Sequence, residues 1–426
     1  MANSTDGNKF PGRGGTLAAA ILSIALAAIP PAAAAEKLRI GFSMPLTGAI
    51  AVNGKPALLA TQIWAEKINA EGGLLGREVE LVYYDDQSNP SLVPGIYSKL
   101  LDVDKVDLVV PGYSTNMTAP FMPTAIERRL LVVSFFCLAL NDQFHYPRYF
   151  SMVPFGPEPK RSLSKGFFDV AAAQNPKPQS VAMLSADAEF AQGAAEGARA
   201  NLSAHGFKII YDKTYPPSTT DFSPMIRAAQ ATDPDIVYVA SYPLDGVGIV
   251  RAANELRLKT KLFGGSMVGM QSTPLRTQLG PLLNGLVYHD FWVPDPKLMF
   301  PGIAAFLATY QARAGAAGVD PLGYYVPPYA YARMQVLGQA ITATGTLDAD
   351  KLAGYLRDNA LHTVVGDIRF DHDGEWSKSG VLTVQYQGIV GNELEQFRKP
   401  GTYVVVAPEE FKSATGLIYP YSKLRD

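Results

Sequence analysis

From residue 38 to residue 264 the hydrophobic period keeps switching between short apolar runs and longer stretches with one apolar face at helical spacing. Apolar runs at 38–44, 79–84, 106–111 and 130–135 alternate with helical patterns at 54–69, at 90–101 and from Ala119 onward. After a Pro- and Gly-rich stretch at 149–159 a second series begins. Helical patterns at 160–173, 189–205, 221–231 and 244–256 alternate there with strands at 180–185, 207–211, 235–240 and 261–264. Strands apolar on both faces and separated by helices run parallel and are covered on both sides. The pattern predicts an α/β chain of two doubly wound parallel-sheet lobes.

The regularity then breaks. Residues 286–293 are extended and end at Pro294-Asp295-Pro296; helical patterns follow at 300–314, 328–344 and 348–359, and 364–370 is extended again. The first series lacks the helices to cover both faces of its sheet, and these three supply them if the chain returns near residue 290 and leaves near 370. Crossings at 149–159, 286–296 and 364–370 then make a three-segment hinge. Residues 381–387 add an edge strand to the second lobe, and the tail beyond packs or frays. The expected domains are a first lobe of residues 36–153 and 291–366 and a second of 154–290 and 367–426.

Residues 1–35 read as a secretory signal peptide. Lys9 and Arg13 precede an apolar run at 17–29 too short to span a bilayer comfortably, and Ala32-Ala33-Ala34-Ala35 supplies a small-residue cleavage site. The mature chain is expected to start near Glu36, exported from the cytoplasm, with no stable membrane insertion. A formal net charge of −2 argues against nucleic acid as a partner. A single cysteine, Cys137, rules out an intrachain disulfide.

Catalytic and cofactor signatures are missing. There is no phosphate loop and no Gly-x-Gly-x-x-Gly opening a helix. Gly264-Gly265-Ser266-Met267-Val268 approaches a nucleophile elbow but lacks the closing glycine, and the five histidines show no metal-ligand spacing. Asp371-His372-Asp373-Gly374-Glu375 lacks the length of a calcium loop and reads as a turn. No cofactor and no metal are expected. A hydrolase using Ser266 with His289 and Asp290 stays as a remote alternative to reversible binding in a cleft between hinged lobes. The stretch most suited to a ligand is Val109-Val110-Pro111-Gly112-Tyr113-Ser114-Thr115-Asn116-Met117-Thr118, a strand, polar loop and helix start that aims N–H groups and hydroxyls toward an anion. As an ordinary connection, the same loop would use Ser114 or Thr115 as a helix cap.

An ordered set of short stretches carries a family resemblance: Ile40-Gly41-Phe42-Ser43-Met44-Pro45-Leu46-Thr47-Gly48, Lys67-Ile68-Asn69-Ala70-Glu71-Gly72-Gly73-Leu74-Leu75-Gly76, Tyr84-Asp85-Asp86 with Pro90, Asp221-Phe222-Ser223-Pro224, Asp235-Ile236-Val237 and Phe370-Asp371-His372-Asp373-Gly374. On these the chain resembles the periplasmic branched-chain amino acid binding proteins, the type I solute receptors of ABC importers. The resemblance implies the two-lobed, three-crossover fold, a monomer, and delivery of a small solute to an inner-membrane permease. It places Thr115 at the hydroxyl that holds a ligand carboxylate, with Tyr113, Ser114 and Asn116 around it. In the next family loop Leu138 stands in place of a threonine, after Phe136 and Cys137. Phe190 stands where tyrosine is usual, and Tyr242 matches a ligand-stacking tyrosine. Ser266, or Met267 with a one-residue slip, occupies the place of the acid that holds an α-ammonium.

That departure shapes the expected ligand. A buried ammonium left unpaired costs about 3–5 kcal/mol. Unless Asp245 or Asp187 moves in as its partner, the pocket suits a carboxylate with an apolar or aromatic body. Aromatic candidates for the wall are Tyr113, Phe135, Phe136, Phe190, Tyr242 and Tyr325. A sensor of the same fold, handing its signal to a regulator, is the alternative to transport.

Overall fold

The computed structural model describes residue 12 and residues 36–398, 401–413 and 416–424. The signal-peptide reading of residues 1–35 thus lies outside the described residues, Gly12 apart. No helix among the described residues is long and apolar enough to cross a membrane.

The first part of the chain runs β1 (Leu38–Met44), α1 (Ala51–Ala70), β2 (Val79–Asp85), α2 (Val93–Ser98), β3 (Leu108–Val109), α3 (Thr115–Thr118), α4 (Met122–Glu127), β4 (Val132–Ser134), α5 (Asn141–Phe144) and β5 (Tyr149–Ser151). The second series is α6 (Pro159–Ala172), β6 (Ser180–Ala186), α7 (Glu189–His205), β7 (Lys208–Tyr215), α8 (Ser223–Gln230), β8 (Ile236–Ser241), α9 (Pro243–Glu255), β9 (Leu262–Met267), α10 (Thr273–Leu279) and β10 (Leu286–Asp290). Helices α11 (Ile303–Ala317), α12 (Val326–Thr344) and α13 (Ala349–Asp358) follow, then the hairpin β11 (Leu361–Thr363) and β12 (Gly366–Ile368), and finally β13 (Leu382–Tyr386) and β14 (Tyr403–Ala407).

The alternation read from the sequence is the architecture found. Strands β2-β1-β3 form one parallel sheet, with β4 and β5 as a parallel pair. The larger sheet has the order β14-β13-β10-β9-β8-β6-β7; it is parallel from β7 to β10 and antiparallel at β13 and β14. Every residue of β8 is buried, as a strand covered on both faces requires. Helix α7 ends where the sequence says it should, at Gly206 in the left-handed conformation.

The return of the chain after residue 290 is also found. Helices α11 and α12 pack on α1, and α12 is buried on nearly every side. Its Arg333 donates to the Pro111 carbonyl at 2.7 Å and lies 4.7 Å from the Phe135 ring centroid, tying α12 to the two loops that follow β3 and β4.

Several expectations are corrected. Strand β13 is not the sheet edge, because β14 from the tail pairs outside it. The strands expected at 106–111 and 130–135 shrink to two and three residues, because the chain turns early into the loops of the cleft. The pattern at 90–101 breaks into a 3-10 turn at Pro90–Leu92, α2, and a π turn at Lys99–Val103. Strand β9 runs on to Met267, and α10 follows where the sequence pattern predicts no helix.

Candidate ligand-binding cleft

A small cavity lies where the carboxyl ends of the strands from both sheets converge, the usual position for ligands in open α/β sheets. Tyr113 and Ser114 come from the loop after β3, Phe136 from the loop after β4, and Phe155 from the segment after β5. Ile50 precedes α1, and Tyr325 caps α12. From the larger sheet come Phe190 at the start of α7, Tyr242 before α9, Val268 after β9, and His289 and Phe291 at the end of β10. The enclosed volume is about 20 Å³, room for a single water. A drug-sized ligand occupies a pocket of at least roughly 300 Å³, so entry requires the walls to part.

The wall is aromatic. Phe136 makes edge contacts with Phe291 at 5.7 Å and Tyr325 at 5.0 Å, and Phe190 meets Tyr242 at 6.0 Å. The backbone is strained at two of these positions: Ser114 has φ of 90° and Phe136 of 56°, both rare for side chains with a Cβ. Both residues line the cavity. Tyr113 accepts from Asn53 Nδ2 at 2.7 Å, and burial holds its phenol well above the ordinary value.

The two walls are clasped by one side chain. Asn116 Oδ1 accepts from Tyr242 Oη at 2.6 Å and from the Phe190 backbone N–H at 3.4 Å. Asn116 lies in α3 on the first-sheet side, whereas Tyr242 and Phe190 stand at the starts of α9 and α7, which follow strands of the larger sheet. The structure therefore brings together Tyr113, Ser114, Phe136, Phe190 and Tyr242 at the cavity, with Asn116 bonded to two of them.

The other sequence candidates lie elsewhere. Thr115 Oγ1 accepts the Leu138 N–H at 3.0 Å, and both residues line an outer groove with Asp142, Lys160 and Glu196. Cys137 is buried behind Phe136, its thiol 3.7 Å from the Phe135 carbonyl and pushed up to about 11 by burial. Ser266 is fully buried against Tyr238 Oη at 2.6 Å, and Met267 is buried beside α9. Because β9 continues to Met267, Val268 takes the place at the strand end. Asp245 is spent on the first turn of α9: its Oδ2 accepts from Tyr215 Oη at 3.2 Å and from the Tyr242 N–H at 3.5 Å. Burial raises its pKa. It does not line the cavity.

The hydrolase constellation is not assembled. Gly264 and Gly265 sit inside β9 rather than on a turn, with φ of 145° and 132°; a Cβ on Gly264 would stand 1.7 Å from the Val287 carbonyl oxygen. His289 packs against Gln271, and Asp290 is held by Tyr403 and Arg276. Residues 371–375 form a turn in which Asp371 accepts from the N–H groups of Asp373 and Glu375, and no cluster of metal-ligating side chains occurs among the described residues.

Sequence reasoning missed Ile50, Phe155, Val268 and Phe291, and considered His289 only as a catalytic base. Their common signal is position: each follows or ends a strand directed at the cleft.

Two α/β sheets whose strand ends converge on a cavity have the architecture of a ligand-binding protein. The chain matches the family model described as periplasmic binding protein over residues 37–385, and it belongs to that family. It is 28% identical over 349 residues to an amino acid binding protein of Pseudomonas aeruginosa, covering 82% of this chain and 89% of that one. Among solved structures it is similar to the branched-chain amino acid transporter substrate binding protein LivJ of Streptococcus pneumoniae in complex with isoleucine, with TM-score 0.72, 19% identity and coverage of 88% and 100%. It is also similar to an ABC transporter solute binding protein of R. palustris in complex with benzoate, with TM-score 0.72, 14% identity and coverage of 89% and 100%. These relatives are binding proteins, not enzymes.

Proposed function

We propose that this chain is the solute receptor of an ABC importer, taking a small acid with an aromatic or apolar body and handing it to an inner-membrane permease. The observation that carries the ligand class is the lining of the cavity. Seven of its eleven residues are Phe or Tyr, and none is Asp, Glu, Lys or Arg. An amino acid would bury its ammonium there without a partner, at a cost of about 3–5 kcal/mol. A carboxylate can instead be held by neutral donors, namely the Ser114 and tyrosine hydroxyls and a histidine N–H. Among the structural relatives, isoleucine and benzoate are both represented, and the uncharged aromatic wall favours the second kind of ligand.

The working unit in this reading is a pair of lobes, residues 36–153 with 291–366 and residues 154–290 with 367–426. Membership of the sheets supports it, since β13 and β14 join the sheet of β6 to β10 while α11 and α12 pack on α1. The signal peptide and periplasmic export proposed for residues 1–35 complete the picture, with a monomer as the acting species. Calorimetric titration tests the ligand class. Benzoate is expected to bind, and isoleucine to bind at least about a hundredfold more weakly, the factor that an unpaired ammonium implies. Binding of zwitterionic amino acids alone would overturn the proposal.

A further inference from the structure

His289 is the one imidazole on the cavity wall, and its chemistry follows from its neighbour. It lies at the end of β10, 3% exposed, with its ring 5.4 Å from that of Phe291. Gln271, itself 1% exposed, faces it from the segment after β9. The orientation of the Gln271 amide is fixed at both ends. Its Oε1 accepts the Gly269 N–H at 2.9 Å, and its Nε2 donates to the His289 carbonyl at 2.7 Å. That same NH₂ group stands 3.4 Å from His289 Nε2. An amide NH₂ can only donate, so Nε2 must be the accepting nitrogen of the ring. In a neutral imidazole the proton then sits on Nδ1. Burial lowers the pKa to about 4, an effect the Gly265 backbone offsets only in part, so the ring is neutral near pH 7. Nδ1 is buried and makes no hydrogen bond of normal geometry, although the Gly265 backbone stands close enough to the ring to favour its protonated form. The result is an N–H donor, fixed in place by Gln271, on a residue that lines the cavity.

We infer that His289 is the polar anchor of the ligand on the larger-sheet wall, donating its Nδ1–H to an oxygen of the bound molecule, with Gln271 as the positioning residue that keeps the proton on Nδ1. This deepens the reading of the cavity as an acid-binding site and rests on it. A ligand that leaves the donor unmatched keeps a buried N–H unpaired, whereas one that places an oxygen there gains about tenfold to a hundredfold in affinity. The oxygen has two sources, a carboxylate or a ring hydroxyl, and benzoate and 4-hydroxybenzoate separate them.

The test is calorimetric titration of the purified protein with both probes, together with ¹⁵N spectra of the histidine ring. The His289→Asn variant identifies its signals among the five histidines of the chain. The wild-type spectrum is expected to show a neutral ring protonated on Nδ1. His289→Phe is expected to lose about tenfold or more in affinity with its melting temperature near the wild-type value, and His289→Asn, which keeps a donor near the Nδ1 position, to recover part of the loss. In Gln271→Glu the carboxylate accepts from the ring, so the proton moves to Nε2 and affinity falls with it. A loss shared equally by both probes assigns the carboxylate oxygen; a loss confined to the advantage of 4-hydroxybenzoate assigns the hydroxyl. Wild-type binding that is undiminished in His289→Phe overturns this inference and leaves the acid-binding reading standing. If His289→Phe does not fold, a Gln271→Glu protein with unmoved proton and unchanged affinity overturns it as well. Failure of the wild type to bind either probe overturns both.

Discussion

Asn116 accepts from both Tyr242 and Phe190, so one amide joins the two walls of the cleft. Deleting the phenolic hydroxyl removes a hydrogen bond worth about 0.5–1.5 kcal/mol net. Tyr242→Phe is therefore expected to weaken benzoate binding by about 2- to 12-fold, mostly through faster dissociation, which stopped-flow displacement would measure. Asp245 gives the opposite signature. It caps α9 instead of lining the cavity, so Asp245→Ala is expected to cost about 1 kcal/mol in chemical denaturation while changing benzoate affinity by less than about twofold. At this scale the sequence was informative where a residue lies just beyond the carboxyl end of an apolar run, as with Tyr113, Ser114, Phe190 and Tyr242. It was misleading at Ser266 and Met267, because alternation of faces makes a strand end legible only when the last paired residue is known.

Strand β9 shows why that end was misread. Gly264-Gly265 looks like punctuation, yet both glycines lie within the strand, where neighbouring backbone approaches too closely for any Cβ. The Gly264→Ala substitution is expected to destabilise the protein by about 3 kcal/mol, through overpacking against Val287 and a backbone conformation alanine resists; the shift in denaturation midpoint measures it. Long amphipathic elements such as α7 and α12 were legible because their period repeats over many residues. The two-residue β3 and four-residue α3 are set by tertiary contacts, Arg333 reaching Pro111 among them, and no local period announces those. Strand β14 is not legible in the tail although Tyr403, Val404, Val405 and Val406 form an apolar run, because only antiparallel pairing outside β13 distinguishes that run from a packed coil.

Across the whole molecule, stability depends on carboxyl groups that fold into places without solvent. Glu375, in the turn at 371–375, is buried with neither carboxyl oxygen in a hydrogen bond of normal geometry, and burial, which the nearby Ser151 hydroxyl offsets only in part, holds its pKa well above the ordinary value. The unfolded chain releases this proton near its ordinary pKa of 4.5, whereas the folded chain keeps it to higher pH. Its contribution is fully present below about pH 4.5 and is lost as pH rises toward the folded value, at about 1.4 kcal/mol per pH unit. Asp86 and Asp290, each raised to about 6 by burial, act with the same sign between about pH 4 and 6. Glu375→Gln is expected to flatten the fall of melting temperature between pH 5 and pH 8 and to stabilise the protein at the upper end. The doubly wound plan was legible from the alternation of periods, whereas these buried acids were not, since nothing local distinguishes Glu375 from an exposed turn residue. The sheet order carries a further consequence, for the timing of synthesis. Strand β10 waits for β13, almost a hundred residues later, and β13 waits for β14; the first sheet waits for α11 and α12. A ribosome that has released residue 300 has therefore completed neither half; the first waits for α12, which ends at Thr344, and the second for β14, which ends at Ala407. Such a nascent chain stays threadable for nearly its whole length.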